Sequence, residues 1–217
     1  MPVLTARGAG VRHRRRRLFH DLDVTAEPGD LVAVVGPPGS GRTTLLLALA
    51  GRFRLSAGTV TLDGAAALGY VPEVTAPEPV FTVAEHVRER LALLGREKGA
   101  RRPLLSRMRS ARFALPAHEK GEPVDLLGLD PEIKGRDLTP YEKQVLGLVL
   151  ARLSHPALIA LDGLDHGLDA AEQGALLKQL AEIAAGGTTV VFTARDVDPE
   201  SVTTVIRLSG RESEGER

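Results

Sequence analysis

A glycine-rich loop near the start of the chain has the residue types and spacing needed to hold a phosphate group. It follows a hydrophobic run that ends at Val35 and leads into a helical pattern. Glycines let the backbone curl so that successive NH groups point at an anion, and the positive end of the following helix adds to the attraction. The predicted contacts are Gly36, Gly39, Ser40, Gly41, Arg42, Thr43 and Thr44. A Gly-Pro-rich turn without a ligand is the alternative.

Two side chains of this loop carry separate expectations. Thr43 stands where such loops have a magnesium-binding hydroxyl, and Thr44 is placed to reach another phosphate oxygen. Arg42 stands where the motif has a lysine. A planar guanidinium is bulkier than a compact ammonium. We therefore expect altered geometry around the terminal phosphate of a bound nucleotide.

Strand and helix patterns alternate along the chain on both sides of the loop. β-Branched or leucine-rich runs predict buried strands, and apolar periodicity predicts helices. The predicted strands are Leu31–Val35, Thr59–Leu62, Leu158–Leu161, Thr188–Thr193 and Thr203–Leu208. The predicted helices are Arg42–Ala50, Thr82–Leu94, Tyr141–Leu153 and Ala170–Ala184. This alternation predicts an α/β fold with a largely parallel sheet.

The segment from Val74 to Asp137 lacks strand signals and reads as an inserted helical subdomain. One of its helices has an apolar stripe, formed by Val83, Val87, Leu91 and Leu94. Beside it, the stretch from Arg96 to Arg112 is rich in arginine. This stretch is either a solvated face or a docking surface. A second basic run, Arg12–Arg17, is either an exposed turn or a site for nucleic acid or anionic lipid, and the exposed turn is the preferred interpretation.

Composition excludes several classes of protein. Lys plus Arg and Asp plus Glu each count 28, so the chain has no overall charge bias toward nucleic acid or membrane. The absence of cysteine excludes disulfides and thiolate metal sites. The apolar runs fall short of the roughly 20 residues that a membrane span needs, and the first ten residues lack the apolar core of a signal peptide. If the chain serves transport, we expect another polypeptide to supply the channel.

Further motifs resemble those of ATP-binding-cassette (ABC) ATPases, in the order and spacing of that family, over roughly residues 3 to 208. The matches begin with the phosphate loop, which corresponds to the Walker A motif. The later matches are Leu68–Glu73 to the segment ending in the Q-loop, Leu138–Gln144 to the signature LSGGEQQ, Leu158–Asp162 to the Walker B strand, Gly163–Asp169 to EPTSGLD, and Val190–Asp196 to the strand ending in the switch histidine.

The resemblance implies an α/β fold of the P-loop NTPase type, in which helices flank a mainly parallel sheet. It implies one nucleotide-binding domain over residues 1–208 with a helical subdomain inserted at about 75–137, and residues 209–217 are predicted to be a frayed tail. ATP and Mg²⁺ are the implied ligands. Thr43, Asp162 and Glu73 are the expected residues at the metal, and His13 lies where the family has an adenine-stacking aromatic.

Several positions depart from the family pattern in ways that affect hydrolysis. Gly163 stands where the family has the glutamate that polarises water, and Arg195 stands at the position of the switch histidine. Loss of a general base costs about 10² to 10⁴ in rate. We therefore name no catalytic residue and expect ATP hydrolysis to be weak or absent.

The signature-like segment has lost both of its glycines, which are replaced by Pro140 and Tyr141. Thr139, Pro140 and Glu142 instead fit an N-cap, a first-turn proline and the glutamate of a capping box. This pattern predicts a helix that satisfies its own terminal NH groups.

These observations predict a nucleotide-binding subunit of an ABC transporter-type complex, located in the cytoplasm at the inner face of the membrane. Its expected partners are a membrane-spanning permease and a second cassette, in a homodimer or a heterodimer. One alternative is a catalytically inactive regulatory or scaffolding subunit. Another is a soluble ABC-like protein acting on nucleic acid, which only the arginine runs suggest, so no specific nucleic acid partner is expected.

Overall fold

A computed structural model describes residues 1–13, 16–97 and 124–209 of the chain. Within these ranges, strands and helices alternate after a first pair of strands. The strands are β1 (Leu4–His13), β2 (Arg16–Ala26), β3 (Leu31–Val35), β4 (Ala57–Leu62), β5 (Ala66–Leu68), β6 (Leu158–Leu161), β7 (Thr189–Ala194) and β8 (Thr204–Arg207). The helices are α1 (Arg42–Leu49), α2 (Val83–Glu97), α3 (Pro140–Arg152) and α4 (Ala170–Ala185). Short 3₁₀ turns occupy Gly135–Asp137 and Pro199–Ser201.

Five strands form a parallel sheet in the order β5-β6-β7-β3-β8. Every residue of β3, β6 and β7 is buried, because helices cover both faces of the sheet. On β3, Val32 and Val34 pack with the leucines of α1, whereas Ala33 and Val35 pack with residues of α3 and α4. The predicted α/β fold, with helices flanking a mainly parallel sheet, is therefore confirmed.

A second sheet is antiparallel, with the order β2-β1-β4. The sequence patterns missed β1 and β2, and the prediction of Thr59–Leu62 as a buried strand was wrong in its burial. β4 is exposed or half-buried along its whole length. An antiparallel sheet needs to bury only one face. In β1 that face consists of four residues, Leu4, Ala6, Ala9 and Val11, and the polar residues between them hide the strand signal.

The helical stretch after β5 is described only in part. Val83 and Val87 of the predicted apolar stripe are fully buried, in a cluster with Val145, Leu146 and Val149 of α3. The stripe therefore packs on the rest of the chain at its N-terminal end. The arginine-rich stretch lies outside the described residues from position 98 onward, as do residues 14–15 of the other basic run and residues 210–217 of the predicted tail.

None of the helices within the described ranges combines the length and the apolar content that crossing a membrane requires.

Candidate functional site

Three neighbouring strands of the parallel sheet end at one edge, and each is followed by residues predicted to do chemistry. β3 leads into the glycine-rich loop, β6 leads into Asp162 and β7 leads into Arg195. The strands are in register there, since Val35 pairs with Ala194 and Leu161 pairs with Phe192. In open α/β sheets, ligands bind outside the carboxyl ends of the strands. This edge is therefore the candidate site.

The glycine-rich loop has the backbone conformation that its sequence predicted. Gly39 and Gly41 adopt left-handed φ angles of 79° and 94°, which residues with a side chain rarely adopt. A Cβ at Gly36 would lie 2.6 Å from the carbonyl oxygen of Leu208 and 2.9 Å from Ser40 Oγ, so only glycine fits there. Helix α1 begins at Arg42 immediately after Gly41. Its first intrahelical bond runs from the amide of Leu45 to the carbonyl of Gly41.

Two buried side-chain groups of the loop are suited to an anion. Ser40 is 3% exposed, and its Oγ is buried together with Nη1 of Arg42. Within the described part of the chain, neither atom has a hydrogen-bond partner. A buried donor without a partner is destabilising, and a phosphate oxygen would satisfy it. Thr44 lies half-buried in the first turn of α1. The loop therefore fits a phosphate group.

A hydroxyl from the loop meets a carboxylate from the neighbouring strand. The hydroxyl of Thr43 donates to Asp162, with Oγ1 2.9 Å from Oδ2 and 3.1 Å from Oδ1. Asp162 is only 8% exposed. Hydroxyl and carboxylate oxygens are ligands that suit Mg²⁺. The structure thus brings together two of the three residues predicted at the metal.

Glu73, the third predicted metal residue, forms no hydrogen bond or ion pair with Thr43 or Asp162 in the described part of the chain. It follows β5 in an exposed turn and has a left-handed φ of 64°. The side chain of His13, predicted near the adenine, lies outside the described set. The roles predicted for Glu73 and His13 stay predictions.

The segment Asp162–Gly163 is held by two residues that the sequence analysis did not single out. The hydroxyl of Thr193 donates to Asp162 Oδ1 at 2.6 Å and accepts from the amide of Gly163 at 2.7 Å. From the other side, Nε2 of Gln144 donates to the carbonyls of Asp162 and Gly163, at 3.2 and 3.1 Å. Thr193 is polar at the end of a strand that was predicted to be buried, and that contrast was an available signal. The sequence analysis made no prediction about the burial of Gln144, which is 1% exposed.

Gly163 occupies a backbone position that disfavours a side chain. Its φ is +71°, in the left-handed region that favours glycine. A Cβ built there would lie 3.1 Å from Cβ of His166 and 3.8 Å from its Nδ1. The imidazole of His166 therefore lies beside the space in which a side chain at position 163 would begin.

Arg195 is engaged by an acid of the same edge. Oδ2 of Asp165 lies 3.3 Å from both the backbone N and the Nε of Arg195. The side chain of Arg195 is 72% exposed, whereas that of Asp165 is largely covered. The guanidinium of Arg195 is therefore paired with Asp165 rather than extended alone into solvent.

The start of α3 has the predicted capping box. The hydroxyl of Thr139 accepts from the amide of Glu142 at 3.2 Å, and the carboxylate of Glu142 accepts from the amide of Thr139 at 2.8 Å. Pro140 also lies close to the turn after Gly163, since a Cβ built at Gly167 would lie 3.3 Å from its ring. This helix end is satisfied internally and packed against its neighbour.

A glycine loop between a strand and a helix, at the carboxyl edge of a parallel sheet and facing a strand-end aspartate, defines the P-loop NTPase class. Two solved structures show the same fold. One is the ADP conformation of an ATP-binding cassette of an ABC transporter, with a TM-score of 0.72, 17% identity, and coverage of 96% of this chain and 87% of that one. The other is a dimeric ATP-binding cassette bound to ADP and Pi in a post-hydrolysis state, with a TM-score of 0.68, 18% identity, and coverage of 94% of both chains.

Sequence comparisons identify the family. The family model described as ABC transporter matches residues 19–163. The hemin import ATP-binding protein HmuV of Myxococcus xanthus is 33% identical over 213 residues, which cover 90% of this chain and 76% of that protein. The zinc import ATP-binding protein ZnuC of Ruegeria pomeroyi is 28% identical over 200 residues, covering 90% of this chain and 70% of that protein. The chain belongs to the ABC transporter family.

The relatives differ in length. An ABC transporter ATP-binding protein of Streptomyces avermitilis is 29% identical over 215 residues, which cover 91% of this chain. The chain spans 34% of the length of that relative.

Proposed function

We propose that this chain is a nucleotide-binding subunit of an ABC transporter-type complex, which binds ATP with Mg²⁺ and couples the nucleotide state to a membrane-spanning permease. In this proposal it pairs with a second cassette, identical or different, and lies in the cytoplasm at the inner face of the membrane. ATP hydrolysis by the chain is weak or absent.

The contact between Thr43 and Asp162 is the observation that carries the proposal. It joins the loop after β3 to the end of β6, and it sets a hydroxyl and a carboxylate side by side at the start of α1, where a phosphate would bind. Mg²⁺ held by this pair would neutralise charge on the phosphate oxygens. The unpartnered Ser40 Oγ and Arg42 Nη1 support binding of the phosphates themselves.

Features at three positions support the proposal that ATP hydrolysis is weak or absent. Gly163 offers no side chain to accept a proton from water, and its left-handed φ fits glycine. Arg195 is paired with Asp165. Arg42 brings a guanidinium to a place suited to a smaller cation. The site is therefore better suited to binding a nucleotide than to hydrolysing it.

The names of the relatives favour a transporter of the import type. Two of them are named as import ATP-binding proteins, one for hemin and one for zinc. The balanced charge of the chain gives no separate reason to propose a nucleic acid partner.

A catalytically inactive regulatory or scaffolding subunit is a second candidate. The capping box at Thr139 favours it, because amides of the signature-like helix are already bonded within the chain. Such a helix end has few free NH groups with which to bind a nucleotide held by a partner cassette.

Calorimetry with ATP, in the presence and absence of Mg²⁺, tests the proposal. We expect Thr43→Ala to lower the affinity for Mg²⁺-ATP about tenfold or more, since removal of a metal ligand weakens the ion's hold. Thr59→Ala, an exposed threonine of β4, is the matched control and should bind as the parent does. Equal Mg²⁺-ATP affinity in Thr43→Ala and the parent would contradict the placement.

Hydrolysis is tested separately in a steady-state assay. We expect the purified chain to hydrolyse ATP near background, because no base stands at position 163. A turnover of about one per second that is abolished by Asp162→Asn would show a working ATPase, against a typical enzyme turnover of about 10 per second.

A further inference from the structure

A buried threonine at the end of β7 bonds to both residues of the Asp162–Gly163 segment. Thr193 is 1% exposed, and its neighbours along β7 are apolar and equally buried. Its hydroxyl lies 2.6 Å from Asp162 Oδ1 and 2.7 Å from the amide nitrogen of Gly163. A hydroxyl buried among apolar side chains is destabilising unless it is bonded. One of its bonds goes to a predicted metal ligand, Asp162, and the other to the residue that follows it.

The partners of Thr193 fix the direction of its hydroxyl. The amide of Gly163 can only donate, so the threonine oxygen accepts that bond. The single hydroxyl proton is then left for the carboxylate of Asp162. At 2.6 Å, this is a short bond of the charge-assisted kind, which is about twice as strong as a neutral one.

The carboxylate of Asp162 is thereby held from two sides. Thr193 bonds Oδ1 from within the sheet, while Thr43 of the loop approaches Oδ2 at 2.9 Å. Groups that hydrogen-bond to a metal-binding carboxylate set its orientation, and their loss typically costs about 10- to 100-fold in metal affinity or activity. Thr193 is in the position to orient the carboxylate.

We propose that Thr193 is a positioning residue that orients the Asp162 carboxylate for the Mg²⁺ accompanying a bound nucleotide. The inference rests on the proposed function, because it requires that the chain bind Mg²⁺ with ATP. Thr193 acts through Asp162, and its bond to Gly163 ties the carboxylate to the backbone that follows β6.

Titration calorimetry with ATP, with and without Mg²⁺, tests this on three variants of the full chain. Thr193→Val keeps the shape of the side chain and removes the hydroxyl, whereas Thr193→Ser keeps the hydroxyl. Thr189→Val is the matched control. Thr189 is fully buried at the opposite end of β7, and its hydroxyl donates to the carbonyl of Glu27 at 2.9 Å.

We expect the substitution to change the Kd for ATP only when Mg²⁺ is present. For Thr193→Val, the Kd for ATP without Mg²⁺ stays within about twofold of the parent, while the Kd with Mg²⁺ rises about tenfold or more. Thr193→Ser restores both values to within about twofold, and Thr189→Val leaves both unchanged.

Other outcomes overturn the inference. Parental Mg²⁺ dependence in Thr193→Val shows that the hydroxyl does not orient the carboxylate. Equal losses with and without Mg²⁺, or the same loss in Thr189→Val, show a general packing effect. If Thr193→Val does not fold, Thr193→Ala takes its place, and failure of both while Thr189→Val folds assigns Thr193 a structural role. A parent that binds no ATP sinks the proposed function as well, which separates the two failures.

Discussion

At the scale of single residues, Gly163 combines a missing side chain with a backbone that resists adding one. A left-handed residue with a side chain costs about 1–2 kcal/mol, and a Cβ here would also press on His166 at 3.1 Å. A glutamate at this position would therefore have a strained backbone, and its Cβ would be crowded by His166. A glutamate at position 163 is therefore disfavoured by the backbone as well as missing from the sequence.

We expect Gly163→Glu to lower the free energy of unfolding by about 1–2 kcal/mol and to recover little ATP hydrolysis. Arg42 and the Arg195–Asp165 pair remain as they were. Gly174→Glu is the matched control, since Gly174 is exposed in α4 and, beyond its own chain neighbours and the backbone of its helix, no described atom lies within 4 Å of a Cβ built there. That change should be neutral or gain about 0.5 kcal/mol. Denaturant unfolding and an ATPase assay measure both, and an unstrained, active Gly163→Glu would contradict this account.

The individual residues of the site were predictable to different degrees. The loop and Asp162 follow from spacing, because each sits directly after a strand whose apolar run is visible in the sequence. The bonds of Thr193 and Gln144 were not predictable, since they join residues on separate elements and depend on side-chain direction. Glu73 was assigned to the metal from its position in a motif. The motif does not specify the left-handed backbone that the structure shows at this residue.

At the scale of elements, the start of α3 shows how a change of motif can preserve a helix. The replacement of two glycines leaves Thr139, Pro140 and Glu142 to organise the first turn, and the reciprocal bonds at 2.8 and 3.2 Å confirm this. The same pair of bonds forms at the start of α4, between Asp169 and Glu172. Both helices therefore begin without help from another molecule.

Thr139→Ala should destabilise the chain by about 1 kcal/mol, because it removes the acceptor for the amide of Glu142. Glu142→Gln should cost less, since a glutamine at this position can still accept from the amide of Thr139. Chemical denaturation of the three proteins gives the comparison. A loss in Thr139→Ala no larger than that in Glu142→Gln would show that the hydroxyl of Thr139 contributes little to the helix start.

The strands buried on both faces were predicted from the sequence, whereas β1 and β2, which pair in the antiparallel sheet, were missed. β3 and β6 are continuous apolar runs and β7 is apolar except for two threonines, and the structure places all three in the middle of the parallel sheet. β1 and β2 alternate small, charged and apolar residues and contain irregular register, so no period is visible. The antiparallel sheet is held by pairing along the chain's first 26 residues and with β4, and such pairing does not show in a local pattern.

At the scale of the whole molecule, the candidate site joins segments that are far apart in the sequence. The loop after β3, the end of β6 and the end of β7 meet at one edge. A ligand that contacts all of them stabilises the folded chain as a unit, because the unfolded chain has no such arrangement.

Mg²⁺-ATP should therefore raise the melting temperature of the chain. At a hundred times its Kd, a ligand adds about 2.7 kcal/mol, which corresponds to a shift of roughly 5–10 °C for a chain of this size. ATP without Mg²⁺ should give a smaller shift, and Asp162→Asn should remove the difference between the two. Thermal unfolding followed by circular dichroism measures these shifts. Identical shifts with and without Mg²⁺ in the parent would contradict a metal site at Thr43 and Asp162.

The left-handed backbone at Gly163 also bears on how such a chain can change over generations. Every glycine codon is a single base away from a codon for an acidic residue, so a carboxylate at position 163 is within easy mutational reach. The backbone makes that one-step change unfavourable for as long as the turn through His166 keeps its present course. A lineage that placed a glutamate at position 163 would first have to reshape the turn.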